Sequence, residues 1–184
     1  MYDLLNSEPD EYSDLNGLEL IKSKIKEFYI MGGRYPTSKE FNIYVYEPLN
    51  AAYFIENCRV PLYFIGGEWG RIRAGAKLNE AIDEDDYCYK AMKIFGEDNA
   101  LNGRNAWYPL TVLEALNKDL FDWVQGTNVV NTETSDNNFT EGFGIHFYAK
   151  AKFNDNFYKR TMDEIIYHKA WINSNIQYNS KFLF

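Results

Sequence analysis

The clearest structural signal in the chain lies at residues 143–153, which have the sequence FGIHFYAKAKF. Apolar side chains alternate with more polar ones along this segment. The apolar set is Phe143, Ile145, Phe147, Ala149, Ala151 and Phe153, and the other set is Gly144, His146, Tyr148, Lys150 and Lys152. A strict period of two is typical of a strand with one buried and one exposed face. We therefore expect a strand over this segment, with His146 on its exposed polar face.

Helical patterns flank this strand along the chain. Apolar residues recur at spacings of three and four positions, which is typical of a helix with one buried face. The predicted helices cover about 17–31, 49–57, 84–95, 109–125 and 157–172. Asn16 and Glu19 have the spacing of a capping box at the start of the first helix. Residues 60–65 predict a short buried strand, while residues 36–46 leave open a short helix or a strand.

The predicted fold class is α+β, a helix-rich single domain with a small antiparallel sheet. Residues 1–13 are expected to form an acidic flexible leader, and residues 14–184 one α+β domain. That domain has a possible division into a helical module, 14–82, and an acidic module, 83–184. The polar stretch 126–142 is expected to be the longest loop, and a loop this long in a compact domain is either functional or mobile.

The composition excludes a disordered chain, since 46% of the residues are hydrophobic and 17% are aromatic. No apolar run approaches the ~20 residues that a membrane span needs. Residues 1–12 lack the basic start and apolar centre of a signal peptide. We therefore expect a soluble cytoplasmic protein, in the host cell if it is encoded by a phage, with no membrane partner.

Acidic side chains outnumber basic ones, 27 to 19, which gives a net charge of −8. Residues 1–16 contribute −5 and residues 83–136 contribute −7, whereas residues 17–82 and 137–184 each carry +2. A uniformly acidic surface is repelled by nucleic acid and attracts basic partners. The charge pattern therefore favours a basic protein or nucleoprotein as the partner.

The residues capable of catalysis form no strong motif. Residues 83–86, Asp-Glu-Asp-Asp, could hold Mg²⁺, since hard cations prefer oxygen ligands, or could complement the dipole of a helix start. His146 and His168 could meet as an acid–base pair if the last helix packs beside the strand, or could lie on exposed polar faces. The chain has no P-loop and no nucleophile elbow, and we predict no cofactor and no metal.

Two segments resemble a known DNA-binding module. Residues 33–41, GRYPTSKEF, follow a helical pattern that begins at residue 18, and residues 69–78 have the sequence WGRIRAGAKL. Together they resemble the helix-turn-helix-like repeat found beside homing endonucleases and in phage DNA-binding proteins. The resemblance implies contact with DNA if the basic faces of residues 17–82 converge. The basic residues concerned are Lys22, Lys26, Arg34, Lys39, Arg71, Arg73 and Lys77.

Three functions are compatible with these patterns, and we place a non-catalytic binding protein first. In size and charge the chain resembles small acidic phage inhibitors of the anti-CRISPR or antirestriction type, which bind a nucleic-acid-processing host complex. Carboxylates would meet the basic partner, and aromatic side chains would add contact area. The candidate partner-binding residues are Asp83, Glu84, Asp85, Asp86, Tyr87, Tyr89, Glu97, Asp98, Trp107 and Tyr108. The alternatives are a DNA-binding regulator that uses residues 17–82 and a small metal-dependent nuclease.

Overall fold

A computed structural model describes residues 1–45, 47–76, 78, 85–101 and 103–167, with the backbone alone for residues 96–101. The chain divides into two compact units. Unit 1 comprises Met1–Glu68 with Phe121–Lys150, and unit 2 comprises Trp69–Leu120 with Ala151–Phe184. Each unit is therefore built from two separate stretches of sequence, and unit 1 takes residues from both sides of the possible boundary at residue 82.

Helices and strands are interspersed along the described chain. The helices are α1 (Tyr2–Leu5), α2 (Gly17–Lys24), α3 (Phe41–Tyr44), α4 (Pro48–Asn57), α5 (Tyr87–Leu101), α6 (Trp107–Leu116) and α7 (Asp155–Ile166). The strands are β1 (Phe28–Met31), β2 (Thr37–Lys39), β3 (Leu62–Ile65), β4 (Arg73–Ala74), β5 (Arg104–Asn105), β6 (Phe121–Val130), β7 (Asp136–Glu141) and β8 (His146–Ala151). Short 3-10 turns occupy Gly67–Arg71 and Lys118–Leu120.

Unit 1 is built on a six-stranded mixed sheet that curls into a half-barrel, with the strand order β1-β3-β8-β6-β7-β2. The β1–β3 and β3–β8 pairs are parallel, and the β6–β7 and β2–β7 pairs are antiparallel. The predicted helix-rich domain with a small antiparallel sheet is therefore wrong. β4 and β5 pair separately as a two-stranded antiparallel sheet in unit 2.

Strands β6 and β7 account for most of this error. In sequence, β6 begins within the helix predicted at about 109–125, and the rest of β6 and all of β7 lie within the loop predicted at 126–142. Alternate residues of β6 do point inward, but Gly126 and Asn128 hold two of the buried positions. Because these two side chains are not apolar, the period of two is invisible in the hydrophobic pattern. β7 has one apolar residue, Phe139, among five polar ones, and backbone pairing with β6 and β2 stabilises it.

The first predicted helix is too long for a similar reason. α2 ends at Lys24, and the residues after it form β1, whose four side chains, Phe-Tyr-Ile-Met, suit a strand. Parallel pairing with β3 overrides the helical spacing there. α6 likewise ends at Leu116, and residue 121 already begins β6. In the segment left open by the sequence, β2 comes first and the one-turn helix α3 follows it.

The strand predicted at residues 143–153 is present as the shorter β8, but part of its predicted polar face is buried. His146 and Tyr148 are buried, at 6% and 4% exposure, and Ala149 of the predicted apolar face is buried as well. The register explains the burial of His146 and Tyr148, since they lie opposite the buried Leu62 and Phe64 of β3. The prediction that His146 lies on an exposed face is therefore wrong, because imidazole and phenol rings can be buried once their polar atoms are hydrogen-bonded.

One apolar core fills unit 1 between the sheet and helices α2 and α4. Its buried members are Ile21, Tyr35, Ile43, Ile55, Cys58, Val60, Leu62, Phe64, Val130 and Tyr148. In unit 2, Tyr158 of α7 is fully buried against Trp69, with ring centroids 5.0 Å apart. No helix in the described part of the chain combines the length and apolar character needed to cross a bilayer.

Candidate functional site

The amino-terminal segment, residues 1–16, packs onto unit 1. Helix α1 contacts α2 and α4, and Leu4 and Leu5 pack against the core of the unit. The hydroxyl of Tyr53 donates a hydrogen bond to Asn6 Oδ1 at 2.6 Å. The sequence predicts no regular structure here, because the acids of this segment obscure the short apolar pair that attaches it to the core.

A hydrogen-bonded turn at residues 8–14 displays an aromatic ring among acids. Asp10 Oδ1 accepts the backbone N–H groups of Tyr12 and Ser13 at 2.8 and 3.0 Å. The ring of Tyr12 is 87% exposed. The exposed acids of the turn are Glu8, Asp10, Glu11 and Asp14. We call Tyr12 and these four acids the acidic turn, and it places carboxylates around an accessible aromatic face.

The residues predicted to bind a partner are only partly described. Asp83 and Glu84 lie outside the described residues, as do the side chains of Glu97 and Asp98. The other six candidates are Asp85, Asp86, Tyr87, Tyr89, Trp107 and Tyr108, all in unit 2. Tyr87 and Tyr108 are exposed and Trp107 is half-buried, whereas Tyr89 is buried.

The two described acids of this set already have structural roles. Asp85 forms an ion pair of 2.8 Å with Lys90. Asp86 caps α5, because its Oδ1 accepts the backbone N–H groups of Cys88 and Tyr89. A side-chain oxygen at this position satisfies N–H groups that the helix cannot pair itself. Reversing Asp86 would therefore disturb α5 as well as the surface charge.

The basic residues considered for DNA contact belong to different units. Lys22, Lys26, Arg34 and Lys39 are exposed in unit 1, Arg71 and Arg73 lie in unit 2, and Lys77 lies outside the described residues. Arg71 Nε donates to both carboxylate oxygens of Asp155 at 2.9 and 3.0 Å. Arg73 donates to Asn105 Oδ1 and to the Gly103 carbonyl. Both arginines are therefore engaged within unit 2.

A buried carboxylate organises the loops that follow β1 and β3. Glu40 is 9% exposed, and its Oε2 accepts the backbone N–H groups of Gly33 and Asn42 at 3.3 and 3.0 Å. Burial raises the pKa of Glu40, while the hydrogen bonds from backbone N–H groups oppose that rise. Two tight turns meet here, since the Gly67 N–H donates to the Gly33 carbonyl at 2.8 Å. The carboxylate thus serves as an internal cap.

His146 is held as a neutral core histidine. Its Nδ1 accepts the backbone N–H of Asn128 at 2.9 Å, so the ring proton resides on Nε2. Burial lowers the pKa of His146, which favours the neutral form further. Asn128 Nδ2 in turn donates to the Tyr35 hydroxyl at 3.1 Å. His168, its predicted partner, lies outside the described residues.

The described residues hold no group of three or more His, Cys, Asp and Glu side chains that is arranged to bind a metal ion. Of the four acids predicted as possible Mg²⁺ ligands, Asp85 and Asp86 are described and have the roles given above. The Mg²⁺ site at residues 83–86 therefore stays an untested alternative to the prediction of no metal.

A second buried acid lies in unit 2, on α6. Glu114 is fully buried, and neither of its carboxyl oxygens has a hydrogen-bond partner among the described residues. Burial raises the pKa of Glu114 to about 9, and the charge of Lys118 offsets this only in part. Glu114 is therefore a neutral carboxylic acid at pH 7. The sequence gives no signal of this, because an acid in a helix is ordinarily exposed.

Comparison with known proteins assigns no family to this chain. No protein-family model matches it, and no curated protein is similar to it in sequence. The resemblances to a helix-turn-helix-like repeat and to acidic phage inhibitors therefore stay predictions. Function has to be argued from the charges, contacts and surfaces of the two units.

Proposed function

We propose that the chain is a non-catalytic binding protein that engages a basic protein or nucleoprotein through carboxylates. It would act in the host cell cytoplasm as an inhibitor of a nucleic-acid-processing complex, of the anti-CRISPR or antirestriction type. The uneven division of charge supports this best. Unit 1 contains 15 acidic and 7 basic residues, a net charge of −8, while unit 2 contains 12 of each.

The acidic turn is the face of unit 1 best suited to this role. Carboxylates can replace phosphates in a basic channel, and an exposed aromatic ring such as that of Tyr12 can replace a base. Of its acids, Asp10 maintains the turn, whereas Glu8, Glu11 and Asp14 take part in none of the ion pairs among the described residues. Their charge is therefore available to a partner.

Attraction of this kind acts mainly on the rate of encounter. The field of a net charge of −8 extends over about one Debye length, ~8 Å at physiological salt, and raises the association rate with a basic partner. The same field repels DNA, so it opposes the alternative in which exposed lysines of unit 1 bind the phosphate backbone. Added salt should accordingly weaken the proposed complex.

Inhibition of defined target complexes tests the proposal. The chain is added to a CRISPR effector–guide complex and to a type I restriction enzyme, and cleavage of target DNA and the rate of association are measured at ~50 mM and ~200 mM salt. The double variant Glu11→Lys/Asp14→Lys is compared with Asp122→Lys/Glu133→Lys, which makes the same change of net charge at exposed positions elsewhere in unit 1.

We expect inhibition of at least one complex at low salt. The acidic-turn variant should associate at least ~10-fold more slowly, a modest share of what electrostatic steering supplies, and the control variant should lose less. The absence of binding to either complex at low salt would contradict the inhibitor proposal. Equal losses in the two double variants would show that the acidic turn is not the binding face.

A further inference from the structure

An apolar cavity opens into unit 1 beside the one-turn helix α3. It has a volume of about 120 Å³. Its lining includes Ile30 of β1, Ile43 of α3 and Phe54 of α4, with Phe64 of β3 and the methyl group of Ala51 completing the wall. An apolar cavity of ~150 Å³ engineered into another protein holds a benzene molecule. A cavity of this size therefore has room for one apolar side chain.

Exposed apolar side chains also lie in and between the two helices, α3 and α4, that contribute to the cavity wall. Among the described residues of 41–49, the exposed large hydrophobic ones are Phe41, Tyr44, Val45 and Leu49. The rings of Phe41 and Tyr44 are in edge contact, with centroids 5.9 Å apart, and α3 contacts α4. Single exposed hydrophobic residues are common, but several within one short segment that also lines a cavity are typical of an interaction site. We call these four residues the apolar rim.

We propose that the cavity and the apolar rim form the anchor site for a partner segment that is positively charged and presents one apolar side chain. This inference rests on the proposed function and specifies how the basic partner is held. The anchor side chain enters the cavity between α3, α4 and the end of β1. The basic residues flanking it remain in the field of unit 1.

Charge complementarity selects this occupant over a second copy of the chain. Unit 1 carries a net charge of −8, and Glu47 is the one charged residue in the sequence of 41–49. It is exposed at the start of α4, where Asn50 Nδ2 donates to its carboxylate at 3.1 Å. Two copies meeting at this face would bring together like charges, which opposes association. A basic segment is instead attracted by the net charge of unit 1 and buries its apolar side chain in the cavity.

The probe is a set of synthetic heptapeptides in which six lysines surround one central residue, either alanine, leucine or phenylalanine. Binding to the full chain is measured by fluorescence anisotropy at low salt. Ala51→Leu adds a larger apolar side chain to the cavity wall within α4, where both residue types favour helix. Gly32→Ala is a milder filler, because its added methyl group would lie at ordinary contact distance, 3.6 Å, from Ile30.

The chain should bind the leucine or phenylalanine peptide at least ~10-fold more tightly than the alanine peptide, as expected for burial of one large apolar side chain. Ala51→Leu should abolish this preference while leaving the alanine peptide bound as before, and Gly32→Ala should reduce it. Thermal unfolding should show that both variants remain folded, because filling a cavity commonly raises stability. Leu49→Ser should weaken the preference, and Leu116→Ser, at an exposed position of unit 2, is its matched surface control.

Two results would overturn the anchor site: no preference for leucine or phenylalanine over alanine, or a preference that Ala51→Leu leaves unchanged. A dimer in light scattering that Ala51→Leu dissociates would assign the cavity to a second copy instead. Failure of the proposed function would give a different result from failure of the anchor site. The alanine peptide would then bind the Glu11→Lys/Asp14→Lys variant as tightly as it binds the unmodified chain.

Discussion

Among the described residues each unit buries one glutamate, and these two residues differ in their hydrogen bonds. Glu40 in unit 1 accepts N–H groups from Gly33 and Asn42, so its burial organises two loops. Glu114 in unit 2 is more deeply buried and has no partner for either oxygen among the described residues. The pKa of both is raised by burial, and that of Glu114 reaches about 9.

This difference shows that burial alone does not decide whether an acid stabilises a protein. A buried acceptor that satisfies backbone donors contributes to stability, whereas a buried group without partners carries its full desolvation cost. Replacing Glu40 should therefore lower the free energy of unfolding, whereas replacing Glu114 with an apolar residue should raise it. The two units also differ in charge: unit 1 carries the whole net charge of −8, whereas the acidic and basic residues of unit 2 are equal in number.

The largest effect is expected at Glu40. Glu40→Ala leaves the N–H groups of Gly33 and Asn42 without their acceptor. The free energy of unfolding should fall by about 3 kcal/mol, the sum expected for two buried donors at ~1–3 kcal/mol each. Urea denaturation measures the change. Glu40→Gln keeps one oxygen in place and should lose less; a loss as large as that of the alanine variant would argue against the capping role.

At Glu114 we expect a substitution to raise the free energy of unfolding rather than lower it. Because the pKa in the folded protein is about 9 and the unfolded value is near 4.5, the folded chain keeps a proton that the unfolded chain releases. Stability should therefore fall as the pH rises from about 5 to about 9. Glu114→Leu should raise the free energy of unfolding at pH 8 by about 2 kcal/mol and flatten this slope.

Glu114→Gln serves as the control for the titration, because glutamine has no proton to lose in this range. It should flatten the slope of stability against pH without the full gain of the leucine variant, since the amide is still buried. Urea midpoints at pH 5.5, 7 and 8.5 give the slope. An unchanged slope of stability against pH in both variants would mean that another group titrates. The proposed difference between Glu114 and Glu40 would then be wrong.

A smaller effect is expected where the amino-terminal segment attaches to unit 1. A Cβ atom at Gly17 would lie 1.5 Å from the Leu4 carbonyl oxygen, so one of the two backbones has to move. Gly17→Ala should displace α1 at a cost of about 1 kcal/mol, the low end for overpacking, because alanine favours the helix that starts here. Limited proteolysis should then cut within residues 1–16 faster. Unchanged cleavage would contradict the packing of this segment.

The smallest effect on stability is expected for the acidic turn. Glu11→Lys/Asp14→Lys should change the free energy of unfolding by less than about 0.5 kcal/mol, since exposed charges contribute little. Its effect on the rate of association should nonetheless be large. Denaturation midpoints measured beside stopped-flow association rates separate the two quantities. A large loss of stability would mean that these acids stabilise the fold rather than bind a partner.

Local signals in the sequence predict part of this fold. The capping box of Asn16 and Glu19 is confirmed, with both reciprocal hydrogen bonds at 3.0 Å. α4 and the buried strand β3 are also confirmed within two residues of their predicted ends. These elements depend on neighbours in the chain, so spacing and propensity suffice to find them.

The remaining features depend on residues that are distant in sequence. β7 is a strand because it pairs with β6 and β2, and its single apolar residue, Phe139, gives no period of two. The cavity joins residues 30, 43, 54 and 64, which only the folded sheet and helices bring together. The residues next to Glu40 and Glu114 in sequence do not indicate that either is buried. Tertiary contacts alone decide that Glu40 accepts hydrogen bonds and that Glu114 has no such partner among the described residues.

Amide chemical shifts of the full chain, recorded during titration with the leucine-centred lysine heptapeptide, test the central claim most directly. They report where a basic, apolar-anchored segment binds. We expect changes at residues 8–14 and 41–55 of unit 1, with small changes elsewhere, and we expect Ala51→Leu to remove those at 41–55. Chemical-shift changes confined to residues 69–120 of unit 2, or no changes at low salt, would contradict the claim that unit 1 binds the basic segment.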